Sequence, residues 1–241
     1  MVSAAHPPQV LEQCHRYLHP VPGLISAPLA AVCPTAPRPG NRDPFALILD
    51  VGAHLSPTAT ELVSWAKMGT VYAGKISKVD APTVALLSTG RDAGDGPPAV
   101  QEAHHLMKND SSLRFVGNIE SIDIPSGAAD VIVCDGYVGQ AVVGLLGGIG
   151  DALLSAARGA YEKHFTWRMG MRLLEGAVVR FKEITEHAGY GGTPLLGFDK
   201  VAILALDESG SEALSNAIKL AAKSVREKVP EVVAQALRSQ G

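Results

Sequence analysis

The sequence is short of several things, and each shortage excludes a class of protein. Of 241 residues only 3 are cysteine, at positions 14, 33 and 134. Their spacing matches neither a disulfide framework nor a zinc site, which suits a reducing cytoplasm. No apolar run approaches the roughly 18 residues of a membrane span. The opening MVSAAHPPQV lacks the charged stretch and apolar core of a secretory leader. Charged residues make up 19%, and the formal net charge of −3 comes with no basic patch. Nucleic acid is therefore not an expected partner. What remains is a 46% hydrophobic, core-forming composition. No internal repeat of solenoid period is present.

Apolar, β-branched runs predict strands at Pro28–Val32, Phe45–Asp50, Thr83–Ser88, Arg114–Gly117, Asp130–Cys134 and Val201–Ala205. Several are continuous rather than alternating, as in strands buried on both faces. Helical patterns lie between them at Ser56–Met68, Ala99–Lys108, Gln140–Tyr161, Arg168–His187 and Glu212–Lys228. The alternation predicts an α/β fold: a doubly wound, mostly parallel sheet with helices on both faces. The expectation is a single domain over 1–241, with residues 162–190 as a protruding helical segment. Two segments read as loops: proline-rich Pro34–Asp43, and glycine-rich, charged Gly90–Pro98, which could close over a ligand.

Ligands of such sheets bind beyond the carboxyl ends of the strands. Three predicted strand ends carry chemistry there. The first is Asp50-Val51-Gly52-Ala53-His54, the second Ser88-Thr89-Gly90-Arg91-Asp92, the third Asp135-Gly136-Tyr137-Val138-Gly139-Gln140. Glycine at each lets backbone approach a ligand closely. Asp135 is a candidate catalytic base or ligand-orienting group, or else the cap of the following helix. Gly136 and Gly139 then open an anion site at that helix start. His54 is a candidate acid–base group, or a solvated loop histidine. Asp50 and Gly52 share its turn. Arg91 is an anion-binding fork or a mobile surface charge. Glu120, after Gly117-Asn118, is a site carboxylate or a solvated strand end. Cys134 and Cys33 read as core packing. The helix Arg168–His187 combines an apolar face with Arg168, Arg172, Arg180 and Lys182. It suits a dimer-interface or core face, or the docking of an acidic carrier protein, with weak membrane-surface contact as the lesser alternative.

The order of these motifs resembles the PlsX phosphate acyltransferases of bacterial phospholipid synthesis. LDVGAHL resembles the family's LDVGAN, and Met-Gly-Thr-Val-Tyr-Ala within Trp65–Ala73 resembles its next helix. VGNIESIDIPSGAADVIVCDGYVGQAVV resembles its GN-E…DV-V-DGF-GN segment, and GYGGTPLLGFDKVAIL its GGAPLLG block. Asn216-Ala217-Ile218 falls in a segment resembling its last helix. The likeness runs from Pro28 onward.

The resemblance implies a doubly wound homodimer that moves an acyl group from acyl carrier protein to phosphate. It implies no cofactor and no metal, and work near the membrane surface. The binding residues expected on these strand ends are Asp50, Gly52, Ser88, Gly90, Arg91, Glu120, Gly136, Tyr137, Gly139 and Gln140, with Asp135 and His54 as the candidate catalytic residues.

Several positions depart from the family. It has further chain before this region, and its Ser-Ala-Gly-Asn-Thr-Gly run reads Ser3-Ala4-Ala5-His6-Pro7-Pro8 here. The asparagine of LDVGAN is His54. The loop lysine is Asp95, DGFTGN loses threonine to Val138 and asparagine to Gln140, and a His-Gly-Ser stretch becomes Leu206-Asp207-Glu208. The departures leave two alternatives open. One is a repurposed subunit in specialised metabolism, paired with a related subunit as a heterodimer. It would act on an acyl or amino-group carrier protein whose cargo loses phosphate or sulfate. The other is a non-catalytic carrier-binding or regulatory subunit.

Overall fold

In the computed structural model, residues 2–3, 7–37, 44–163, 192–205 and 211–238 are described. The expected helix Arg168–His187, most of segment 162–190, part of loop Pro34–Asp43 and the departures at Ala4–His6 and Leu206–Glu208 lie outside them.

Among the described residues the elements follow in this order: β1 (Val2–Ser3), α1 (Pro7–Tyr17), β2 (Ala30–Pro34), β3 (Phe45–Leu49), α2 (Ala59–Tyr72), β4 (Thr83–Leu87), α3 (Pro98–Lys108), β5 (Arg114–Ile119), β6 (Val131–Val133), α4 (Gly136–Lys163), β7 (Thr193–Leu195), β8 (Ala202–Leu204), α5 (Ser211–Arg226) and α6 (Val229–Arg238). The main sheet runs β2-β3-β6-β4-β5. β3, β6, β4 and β5 are parallel, and β2 lies antiparallel on β3. A smaller sheet, β1-β8-β7, is joined to the first by a bridge between Leu29 and Leu195.

All six predicted strands are present, within two residues at most ends. The central ones are buried on both faces, which explains their continuous apolar runs. Leu47 and Leu49 of β3, Val84 and Leu86 of β4, and Val131 and Val133 of β6 face one core. That core is closed by Leu62, Trp65, Met68 and Tyr72 of α2, by Met107 of α3 and by Val233 and Leu237 of α6. The intervening Ile48, Ala85 and Ile132 face the opposite core, with Val10 and Cys14 of α1 and part of α4. Each such buried large side chain contributes roughly 1.5–3 kcal/mol.

Helix boundaries differ from the sequence reading for local reasons. α2 begins at Ala59 rather than Ser56 because Thr58 and Glu61 form a capping box there. It runs past Met68 to Tyr72 and ends in a π-helical turn, Ala73–Ser77. α4 begins at Gly136, four residues before the predicted Gln140, because Asp135 caps it through Val138 N–H at 2.9 Å. β7, α1 and α6 were not predicted. β7 is 3 residues long, and α6 holds Pro230 in its first turn, where proline is tolerated but reads as a breaker. Among the described residues no helix is long and apolar enough to cross a membrane.

Candidate active site

The antiparallel setting of β2 decides the geometry. It brings the start of β2 to the carboxyl ends of the parallel strands, beside the loop after β3. Asp50, at the tip of β3, is fully buried. Its Oδ1 accepts from Leu29 N–H at 2.8 Å and Val51 N–H at 2.7 Å. Its Oδ2 accepts from His54 N–H at 2.6 Å and lies 3.3 Å from His54 Nδ1. The carboxylate is thus solvated by backbone, as a buried charge requires.

Gly52 sits at φ +122°, in the region that favours glycine, and the Gln140 side chain lies over it. Gly136 and Gly139 let α4 press onto this loop. A Cβ at Gly136 would come within 2.7 Å of His54 O, and one at Gly139 would run into Asp50 O.

The anion cradle expected at the start of α4 meets amides that already have partners. Gly136 N–H donates to His54 O, Val138 N–H to the Asp135 carboxylate and Gly139 N–H to Asp135 O. Asp135 is half-buried and acts as the helix cap through Oδ1. Tyr137 is 71% exposed, and Gln140 is also exposed.

His54 packs against Trp65 of α2, with ring centroids 5.4 Å apart. Trp65 is fully buried, and its Nε1–H donates to Ser26 Oγ at 3.1 Å. Ser26 lies just before β2 and is itself buried. Burial pushes the Glu61 carboxyl up, but hydrogen bonds from Thr58 and Ser26 and the nearby His54 outweigh it, so it lies below its ordinary value. Trp65 opened the Trp65–Ala73 block, whereas Ser26 and Glu61 carried no recognisable motif in the sequence. The only signal was Thr58-x-x-Glu61, which reads as a helix start.

The remaining expected residues gather at the tips of β4 and β5, beyond β6 in the sheet. Ser88 N–H donates to Ile119 O, which sets Ser88 beside Glu120. Its Oγ is buried without a partner. Arg91 forks onto Asp123, at 2.8 and 3.2 Å, and lies 3.6 Å from Glu120. Its hydrogen bonds to Asp123 push the guanidinium up, and Asp123 is held low by Glu120 N–H first and then by Arg91. Both readings of Arg91, free fork and mobile charge, thus meet a paired side chain. Gly90 lies against the Asp95 carboxylate. Buried Asn118 ties the loop down: its Nδ2 donates to Asp92 O at 2.8 Å, and its Oδ1 lies 2.9 Å from His104 Nδ1. Asn118 and His104 were not anticipated as partners, being 14 residues apart.

The cysteines are buried. Burial, with Asp135 and Asp50 nearby, pushes the Cys134 thiol well up, and burial pushes Cys33 to about 12. Both stay in the unreactive thiol form. No group of side chains that could hold a metal ion is found among the described residues.

A buried strand-end carboxylate behind an imidazole thus lies at the carboxyl end of β3, in the mostly parallel sheet of an α/β fold. Residues 18–232 match the fatty acid synthesis protein family, and the chain belongs to that family, the PlsX family of the sequence resemblance. It is 36% identical to a phosphate acyltransferase of Brevibacillus brevis, over 83% of this chain and 59% of that one. It is 32% identical to a phosphate acyltransferase of Synechocystis sp., over 95% of this chain and 65% of that one. The chain thus spans less than two thirds of these relatives' length.

Among solved structures it is similar to a branched-chain phosphotransacylase of Enterococcus faecalis, with TM-score 0.52 and 16% identity over 88% of this chain and 66% of that one. A phosphotransacetylase of Staphylococcus aureus gives TM-score 0.51 and 13% identity over 98% and 62%. These neighbours share the fold.

Proposed function

We propose that this chain transfers an acyl group from a carrier-bound thioester to phosphate, with His54 as the acid–base group. The observation that carries the reading is His54 held on buried Asp50 at the carboxyl end of β3, in a family whose named relatives are phosphate acyltransferases. With Nδ1 toward Asp50, Nε2 is left for chemistry. A phosphate oxygen attacks the thioester carbonyl carbon and the carbon–sulfur bond breaks. His54 takes the proton from the acceptor phosphate and returns it to the departing sulfur, so the proton balance closes. The free oxygen of Asp135 and the Gln140 amide border the same turn and orient the acceptor. No cofactor is required. The carrier, and a homodimer or a heterodimer with a related subunit, are the partners this reading carries.

The test is direct. Purified chain, an acyl carrier thioester and inorganic phosphate are incubated, and acyl phosphate and free thiol are both measured. Stoichiometric appearance of the two is expected, falling roughly 100-fold or more in His54→Ala. An unconsumed thioester would sink the proposal.

One observation favours a second reading, in which a carrier-bound substrate is processed without phosphate as acceptor. The amides of the α4 start are engaged and Arg91 is committed to Asp123, leaving few free donors for inorganic phosphate. Thioester consumption indifferent to phosphate concentration would select this version.

A further inference from the structure

The small sheet ends in a free edge. β1 pairs in parallel with β8, Val2 opposite Ile203 and Ser3 opposite Leu204, and among the described residues no strand lies on its other side. Val2 and Ser3 carry none of the charge or proline that blunts an exposed edge. The Leu29–Leu195 bridge joins β7 to the main sheet, so β1 lies at the end farthest from β5.

α5 packs on β1 and β8 and has two apolar faces. Ala213, Ala217 and Ser224 are buried, with Ala217 against Ile203 and Ala205. At about 100° per residue, Leu220 and Lys223 stand on one side of that buried face. Both reach toward the main sheet: Leu220 packs on the core closed by α2 and α6, and Lys223 Nζ donates to Ile76 O at 2.8 Å. Leu214, Ile218, Ala221 and Val225 stand on the other side. That side therefore points away from the main sheet, over β1 and past its edge. Leu214 is 46%, Ile218 55% and Val225 63% exposed. A lone exposed leucine is ordinary. Three large apolar side chains aligned along about three turns, beside an unpaired strand, form a surface that needs a partner.

The pattern of the fold says what covers it. The small sheet has α1 on one face and α5 on the other. A further strand on β1 brings its own helix beside α5, onto the stripe. The relatives have chain for such a unit, since the match takes in only 59% of the Brevibacillus brevis protein and 65% of the Synechocystis one.

We propose that the free edge of β1 and the Leu214–Val225 stripe are the docking face for a strand-and-helix unit of a second polypeptide, of the kind these relatives carry outside the match. The strand takes up the open hydrogen-bonding groups of β1. The helix lays apolar side chains on Leu214, Ile218 and Val225. Exposed Lys219 and Arg226 border the stripe on its solvent side, so the docking helix carries acidic residues along that rim. The cations follow one border only, and the stripe faces along the sheet, which fits a protein and not a lipid surface.

The test co-expresses the full 241-residue chain with the segment of the Brevibacillus brevis phosphate acyltransferase that precedes its match, and purifies through a tag on that segment. A one-to-one complex is expected, with slower hydrogen exchange in β1 than in the chain alone. Ile218→Asp is expected to leave the melting curve of the chain unchanged and to weaken the complex roughly 30-fold or more. Lys219→Glu combined with Arg226→Glu is expected to weaken it roughly tenfold, and decides if Ile218→Asp does not fold. Leu153→Asp, at a similarly exposed apolar side chain of α4, is expected to change nothing.

No complex overturns the proposal, as does a complex equally tight in Ile218→Asp or equally weakened in Leu153→Asp. So does self-association of the chain alone, or its pelleting with phosphatidylglycerol vesicles, where Ile218→Asp abolishes either. The stripe then belongs to a second copy or to lipid. Binding is measured without turnover, so the outcome is independent of the role of His54.

Discussion

At the tip of β3 the carboxylate is buried and its hydrogen-bond donors are mostly backbone amides. At the tips of β4 and β5 the carboxylates Glu120 and Asp123 are half-buried and share a side-chain partner, Arg91. The two loops occupy equivalent places in the sheet, yet their construction differs. In the first, Asp50 holds Leu29, Val51 and His54 together and α4 lies on them through glycine contacts. In the second, an Arg91–Asp123 fork and a buried Asn118–Asp92 bond clip a glycine-rich turn to β5. The first is suited to hold a reactive group still. The second can be released at little cost, because an exposed ion pair contributes little and is screened by salt.

The comparison can be broken at its strongest point first. Asp50→Ala strips partners from three backbone N–H groups, and a loss of about 4 kcal/mol is expected in urea unfolding. A loss under about 1 kcal/mol would show that water reaches those amides. Next comes Gly139→Ala, whose methyl would collide with Asp50 O and approach Cys134 Sγ. About 3 kcal/mol is expected, since both neighbours are held in the sheet. A wild-type melting curve would mean that α4 can slide off the β3 loop.

The smallest effect is expected at the second loop. Arg91→Ala should melt only slightly below the wild type at neutral pH, and high salt should close the gap. Asp123 lies below its ordinary value, so what its pairing adds is present above the unfolded-state value. It fades as pH falls through the folded-state value. The small deficit of Arg91→Ala at neutral pH should therefore close as pH falls through that value. A large salt-dependent loss at neutral pH would erase the contrast between the loops.

Much of this was legible in the chain. Continuous apolar runs such as ALIL and VIV marked strands covered on both faces, and glycine beside aspartate marked their working ends. Asp135 was readable both as site residue and as cap, and the structure shows it capping α4. What stayed hidden was the company these residues keep. Ser26 and Trp65 are 39 positions apart, and Asp50 and Leu29 are 21 apart. No local pattern announces either pair.

Arg91 illustrates the same limit in reverse. Its composition context suggested an anion fork in a loose loop. Its actual partner, Asp123, lies 32 residues on, at a turn whose capping contacts with Glu120 give no sequence-level hint of an arginine beside them.

The sequence by itself determined the family, the α/β alternation and the strand ends where chemistry would lie, because burial and backbone geometry restrict residue types locally. Tertiary structure alone decided which strand-end residues act together. The antiparallel seat of β2 brings Leu29 to Asp50 at the end of β3, and α2 brings Trp65 to Ser26 and His54. Those contacts depend on the direction of one strand and the start of one helix, which the chain expresses only when it is folded.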